Sequence, residues 1–280
     1  MEKEIVEELY KEYLTGKSVC ALEREHKIDH STIYGAFKKY GFKTRSNKIN
    51  SRKYHLDENA FSVINTPEKA YWIGFLSSDG YVSLNNGQKI VGLAIHKKDR
   101  KQVEKFRKFL NADYPIHDYT QKTTYGITEF SRIAVTSDKL YNDVVATGVV
   151  EHKTNILEPP KLVPYGLIKY YILGYFDGDG SIYKNEKTKD WSWAISIVST
   201  DSVLEFIENY LFENGVVDKI PKLEKRKKEQ IVSSIRYSGT RRTCVIMDFL
   251  YEGIDENIPL KRKRDRYLEC KSILNSPANQ

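Results

Sequence analysis

No stretch of this 280-residue chain approaches the roughly 18 consecutive apolar residues of a membrane span, so no transmembrane helix is expected. The opening residues MEKEIVEE are charged and do not read as a secretory leader, which gives the expectation of an intracellular protein, cytoplasmic or nucleoid-associated and not secreted. Cysteine is scarce: Cys20, Cys244 and Cys270 are odd in number and far apart, which argues against a disulfide framework or a cysteine zinc site and for reduced thiols. The histidines, His26, His30, His55, His96, His117 and His152, share no spacing suited to zinc or to a histidine-metal nuclease, so none is assigned to catalysis. Acidic residues fall short of basic ones, 38 against 45, and the formal charge of +7 favours a polyanionic partner, although ordinary basic proteins carry as much.

Residues 1–45 show three short helical patterns: Ile5, Val6, Leu9 and Tyr13; then Val19 and Leu22; then Ile33, Phe37 and Tyr40. The segment from Ser18 to Gly41 resembles a helix-turn-helix of the resolvase-like kind, with Ser18–His26 as first helix and His30–Tyr40 as recognition helix. In that arrangement His30, Ser31, Thr32 and Tyr34 would meet base edges, and Lys38 and Lys39 would meet phosphate. A three-helix protein-docking module has the same periodicity. Residues 46–66 lose periodicity and gain charge, which suggests a basic linker before Pro67 opens the next helix.

An internal repeat organises the rest. Ala70–Tyr81 (AYWIGFLSSDGY) and Tyr170–Ile182 (YYILGYFDGDGSI) are two versions of one pattern, 100 residues apart. Each is followed by a strand pair, a helix, a second strand pair and further helix, giving two αββαββα units of the α+β class over 67–160 and 161–280, with the small all-α module in front.

The two segments Trp72–Gly80 and Ile172–Gly180 resemble the paired signature motifs of the LAGLIDADG homing endonucleases, and the resemblance covers roughly residues 67–270. Lys153 and Thr154, leading through Pro159, Pro160 and Pro164, resemble the basic approach to the second motif, and Leu260-Lys261-Arg262-Lys263 closes the second repeat in a similar way. The first motif departs at Ser77, where the family often has an acid, and at Ser78, but keeps Asp79 at the position the family uses for catalysis. The resemblance implies two pseudo-symmetric repeats whose antiparallel sheets form a saddle on double-stranded DNA, cleavage of both strands across the minor groove, and a monomer with no obligate protein partner. It also implies Asp79, Asp179, Lys153 and Lys263 as catalytic residues, with Lys261 an alternative to Lys263, and a divalent cation, Mg²⁺ or Mn²⁺, at Asp79, Asp179, Ser78 and Gly178.

Physical chemistry gives part of this pattern independently. Small residues four apart, Gly74 with Ser78 and Gly174 with Gly178, leave one face of each helix nearly bare, so the helices can pack at the short end of the 8–10 Å range. Asp79 and Asp179 end those helices, where the macrodipole opposes a carboxylate and the two repel each other. A hard divalent cation relieves both penalties. The plain alternative for each Asp-Gly is a helix-terminating turn, and for each lysine a solvated side chain.

Polar and apolar residues alternate through Lys89–Lys98, Tyr114–Thr123, Glu129–Ser137, Trp191–Thr200 and Lys219–Tyr237, as in a sheet with one wet face. On a DNA-binding reading, Lys89, His96, Lys98, Lys122, Arg132, Lys184, Lys222, Arg226 and Arg236 are the contact candidates. A regulator or intron RNA maturase that keeps the fold without cutting is the competing function. An intein is disfavoured by the ending SPANQ.

Overall fold

The computed structural model describes residues 1–44, 53–124, 126–185, 192–225 and 232–274. The chain divides into two compact units, Met1–His55 and Leu56–Gln280.

The first unit is three helices, α1 (Lys3–Leu14), α2 (Val19–His26) and α3 (His30–Lys39), around Val6, Leu9, Tyr13, Val19, Leu22, Ile33 and Phe37. The Ser18 side chain caps α2 by accepting from the Ala21 amide, and Lys27 ends that helix in the left-handed region at φ 55°. Asp29 then caps α3, accepting from Ser31 N at 2.9 Å, so the turn between the helices is only Lys27–Asp29. Helix, tight turn and helix therefore follow from two caps and one left-handed residue.

In the second unit, the first repeat runs α4 (Pro67–Ser78), β1 (Gly80–Asn85), β2 (Gln88–His96), a 3-10 turn at Lys97–Asp99, α5 (Arg100–Phe109), β3 (His117–Thr123), β4 (Gly126–Thr136) and α6 (Asp138–Ala146). The second runs α7 (Ile168–Asp179), β5 (Gly180–Asn185), β6 (Ser192–Thr200), α8 (Asp201–Glu213), β7 (Glu224–Lys225), β8 (Val232–Ser238), α9 (Thr240–Tyr251) and α10 (Lys261–Leu274). Each sheet is antiparallel, in the orders β1-β2-β4-β3 and β5-β6-β8-β7. Asn86 and Gly87 close the first hairpin with φ of 48° and 74°, the pair of positive values that a two-residue turn matching strand twist needs.

Burial explains the layering. In β4, Ser131, Ile133 and Val135 are buried while Arg132 is exposed; in β8, Ser233, Ile235 and Tyr237 are buried while Arg236 is exposed. One face of each sheet thus packs on helices and the other is open. α4 and α7 differ from the surface helices in being apolar all round: every residue of Ala70–Ser78 is buried, which makes them the central pair.

The expected linker over 46–66 is shorter than its composition suggests. Leu56, Ala60, Phe61 and Ile64 are buried in the second unit, with Phe61 5.2 Å from the Phe109 ring and Asp57 N donating to Leu110 O at 2.9 Å. Their spacing follows a chain of turns and so matches no regular period. Residues 46–52 lie outside those described.

Candidate active site at the paired helix ends

α4 and α7 pack directly on each other, and their glycines set the distance. A β-carbon at Gly74 would stand 1.9 Å from the Tyr171 carbonyl oxygen, and one at Gly174 would stand 1.9 Å from that of Tyr71. The contacts exchange under the 100-residue offset, as a two-fold axis between the helices requires. One turn further on, a β-carbon at Gly178 would meet Ser78 Oγ at 1.9 Å and the Asp79 carboxyl carbon at 3.3 Å. All four expected interface residues therefore lie in the seam, and the Asp79 carboxyl reaches across to the opposite helix.

Asp79 closes α4, its amide donating to Phe75 O at 3.0 Å, and Asp179 is the last residue of α7. Burial, then repulsion from Asp179, lifts the Asp79 carboxyl to a pKa of about 6; Lys263, Lys153 and Arg262 pull the other way. Asp179 is raised too, because the protein behind it removes hydration, with Lys153, Lys263 and a hydrogen bond from Tyr175 opposing the shift. The pair is an electrostatic liability in the folded protein.

The two candidate lysines occupy equivalent places. Lys153 Nζ donates to Leu76 O at 2.7 Å and also to Gly80 O; Lys263 Nζ donates to Phe176 O at 2.6 Å and Gly180 O at 2.5 Å. Each ammonium caps the C-terminal carbonyls of one motif helix, where a cation is favoured. Burial lowers both lysines to a pKa of about 8, against the attraction of the nearby aspartates. Lys263 is 2% exposed, whereas Lys261 is solvated and pairs with Asp265 at 2.6 Å, so of the two lysines it is Lys263 that reaches the end of α7. Ser78 and Gly178, the other two expected metal positions, face each other in the seam beside Asp79. The Ser78 hydroxyl donates to Phe75 O at 3.0 Å, and Gly178 O accepts from Lys263 at 3.2 Å.

Sequence reasoning assigned no role to Asp177. It is fully buried, and its Oδ2 accepts from Tyr71 Oη and from the Leu260 amide, both at 2.7 Å. Gln102 donates onward to Tyr71 Oη at 2.8 Å and to Ile258 O at 2.9 Å. Asp177 thus ties α4, α5 and the approach to α10, the helix that carries Lys263. The available signal was an acid on a helix otherwise apolar all round; its counterpart, Ser77, donates to Ile73 O at 2.9 Å and carries no charge. Burial raises Asp177 to a pKa of about 6, Lys263 and its hydrogen bonds opposing. A carboxyl whose folded pKa lies above its unfolded value contributes stability below the unfolded pKa and loses it as pH rises through the folded one. The urea midpoint of Asp177→Asn relative to wild type should therefore shift in the variant's favour between pH 4 and pH 7; a pH-independent difference would contradict a raised pKa.

The open sheet faces hold some of the expected contact residues and not others. Arg132 donates from Nε to Tyr81 Oη at 2.7 Å, and the Arg236 guanidinium lies 5.6 Å from the Tyr183 ring; both are on the open faces, as is His96, whose Nδ1 accepts from Lys98 N. Lys89 and Lys184 are corrections: alternation places them on the helix side. Lys89 donates to Asn142 at 2.7 Å on α6, and Lys184 pairs with Glu269 at 2.5 Å on α10 while lying over Trp193. Lys122 lies on the exposed β3 strand, Lys98 in the 3-10 turn, and Lys222 is exposed before β7; Arg226 lies outside the described residues. In the first unit, His30, Ser31, Thr32, Tyr34, Lys38 and Lys39 all lie on the exposed surface of α3.

Two αββαββα repeats joined by a glycine-spaced helix pair, each helix ending in an aspartate under a lysine cap, define a duplicated α+β protein with one composite site. Residues 167–245 match the family model described as a LAGLIDADG-like domain, so the second repeat carries such a domain. The first repeat shares its topology. The fold is similar to that of I-LtrWI, a LAGLIDADG homing endonuclease bound to target DNA, at 13% identity over 76% of this chain and 93% of that one, with a TM-score of 0.48. I-GzeII, a LAGLIDADG homing endonuclease in complex with its DNA target, is similar at 10% identity over 75% and 91%, with a TM-score of 0.49. I-SmaMI, bound to uncleaved DNA in the presence of calcium ions, is similar at 12% identity over 77% and 95%, with a TM-score of 0.41. No curated protein matches the chain in sequence.

Proposed function

We propose that this chain is a metal-dependent, site-specific DNA endonuclease of the homing type that acts as a monomer and cuts both strands of a long asymmetric site. One observation carries the reading: two aspartates end close-packed, two-fold-related helices, and each helix end is held by a lysine that caps its carbonyls. A structural turn needs neither the carboxylates nor their shared position, and the fold bears a penalty for both. The LAGLIDADG-like domain and the net charge of +7 support the same reading.

The donor set fits a hard divalent cation, Mg²⁺ or Mn²⁺. Asp79 and Asp179 offer carboxylate oxygens whose charge is unfavourable until a cation balances it, and Mg²⁺ commonly takes one or two protein carboxylates with the rest of its shell from water and phosphate. When bound, the cation supplies Lewis acidity for phosphodiester hydrolysis. The chain's own residues do the positioning. Lys153 and Lys263 hold the two helix ends in register, Asp177 fixes the start of α10, and the open sheet faces carry Arg132, Arg236 and His96 toward base edges and phosphates.

Incubation with a randomised plasmid library, with Mg²⁺ or with EDTA, followed by sequencing of linear ends, tests the proposal. Specific ends with short 3′ overhangs, present only with Mg²⁺, are expected. Specific retention of DNA without any cut ends would replace the nuclease with a DNA-binding regulator.

The first unit is a second DNA-binding element in this reading, with α3 in the major groove. Gly35 lies on the exposed face of α3 with nothing within 4 Å of a β-carbon there. A mid-helix glycine costs about 1 kcal/mol relative to alanine, and no packing offsets it, which suits close approach of a ligand to the backbone. The double change Lys38→Ala, Lys39→Ala should weaken binding uniformly across sequences and reduce the salt slope of log K by about 2. An unchanged slope would remove α3 from the DNA.

A further inference from the structure

The two repeats agree at the carboxylates, the helix seam and the lysine caps, and they disagree in what flanks them. The residue before each capping lysine is His152 in the first case and Arg262 in the second. Arg262 is half-exposed, and its Nε donates to both oxygens of Asp99, at 2.9 and 3.2 Å. The Asp99 side chain is itself only 10% exposed. An arginine anchored through Nε keeps its two terminal nitrogens for a second acceptor, in the planar fork that matches phosphate oxygens. Having been fixed beforehand, it loses little entropy on binding.

The surroundings of Arg262 fit an anionic ligand. It lines a cleft of about 370 Å³ between α5 and the start of α10, together with the exposed Lys98 and Lys101, while the cleft's acids Glu256 and Asp265 are paired with Arg264 and Lys261. Arg262 directly precedes Lys263, whose ammonium caps the carbonyls at the end of α7, so the arginine sits one residue from the composite site. The corresponding stretch of the second repeat, after β6, has no such cations. Thr200 and Ser202 donate there to Leu157 O, at 2.6 and 3.3 Å, and Val203 is fully buried. Among the described residues the two flanks therefore differ, in a molecule whose helix ends are two-fold symmetric.

We infer that Arg262, held by Asp99, binds the DNA phosphate at one of the two cleavage centres, and that the other centre lacks this contact, so the strands are cut at unequal rates through a nicked intermediate. The inference rests on the endonuclease reading above. At each strand a water oxygen bonds to phosphorus as the P–O3′ bond breaks, one water proton ends on the departing 3′ oxygen and the other leaves the new 5′-phosphate for solvent, and negative charge builds on the non-bridging oxygens. A fixed guanidinium stabilises that charge more than it stabilises the ground state. Arg262 contacts substrate in this scheme and Asp99 is a positioning residue.

Strand-specific cleavage of a plasmid that the wild type linearises, and of the same site as a duplex labelled on either strand, provides the test. The wild type should pass through open circle before linear product. Arg262→Ala should slow one strand about tenfold or more and the other less than about twofold, so that open circle accumulates. Arg262→Lys should recover part of the lost rate on that same strand, and Asp99→Asn should show the same strand bias in milder form with an unchanged melting midpoint. Equal slowing of both strands, or no slowing of either, on a plasmid that wild type linearises would overturn the inference and leave the endonuclease reading standing. A wild type that cuts neither strand would remove the endonuclease reading, and the inference with it.

Discussion

Replacing Gly74 by alanine is expected to destabilise the second unit by roughly 3 kcal/mol or more, and Gly174→Ala by a similar amount. The sign is the reverse of the usual one, because alanine in a helix interior is favoured over glycine by about 1 kcal/mol. The difference lies in what the methyl meets. At Gly74 it stands 1.9 Å from Tyr171 O, 2.8 Å from Tyr171 C and 2.9 Å from Tyr175 N, all backbone atoms of the opposite helix. A side chain in that place could rotate away, but a backbone cannot, so the helices must separate and the aspartates at their ends must separate with them. Gly178→Ala meets the Ser78 side chain first and should cost less. Gly35→Ala, where nothing lies within 4 Å, is the control and should gain about 1 kcal/mol in the first unit. Urea midpoints of the purified variants measure all four. Matched losses at Gly74 and Gly174 are expected from the two-fold seam, and tolerance at either would contradict it.

How far the chain could be read in advance depended on whether a feature repeats. Tyr71, Gly74 and Asp79 recur at Tyr171, Gly174 and Asp179, and this periodicity carried the architecture, the seam and the carboxylate pair. Lys263 was legible only to within two residues, because Lys261 and Lys263 alternate with arginines in one basic run. Packing decides between them, since only Lys263 reaches the carbonyls at the end of α7. Strand faces were the weakest inference. Lys89 and Lys184 are basic and so suggest a wet face, yet alternation sets them on the helix side with Val91 and Ile182, where Asn142 and Glu269 receive their long side chains. Asp177 draws its partners from Tyr71 and Leu260, with Gln102 behind Tyr71, segments with no local relation, so no spacing announces the network. Cys244 and Cys270 are 26 residues apart, and α9 and α10 bring their sulfurs to 3.1 Å as buried free thiols.

Asp79→Asn and Asp179→Asn should each lower double-strand cleavage on the order of 10³-fold while site binding persists, and each should raise thermal stability in metal-free buffer. The second half follows from the carboxylates themselves. The folded pKa of Asp79 is about 6, above its unfolded value, so its contribution to stability is fully present below the unfolded pKa and is lost as pH rises through about 6. At neutral pH the folded protein holds a charge it disfavours, at a cost of about 1–3 kcal/mol, and asparagine of nearly the same shape removes that charge. A cation binding only the folded state works in the opposite direction: Mg²⁺ should raise the wild-type midpoint and raise those of the variants much less. The two readouts separate a functional site from a structural turn. If the aspartates only terminate helices, asparagine leaves cleavage untouched and Mg²⁺ acts equally on all three proteins. If the variants lose cleavage because they unfold, their midpoints fall instead of rising. Loss of cutting, gain of metal-free stability and loss of the Mg²⁺ response, found together in both variants, is the pattern that two repelling carboxylates kept for a bound cation must give.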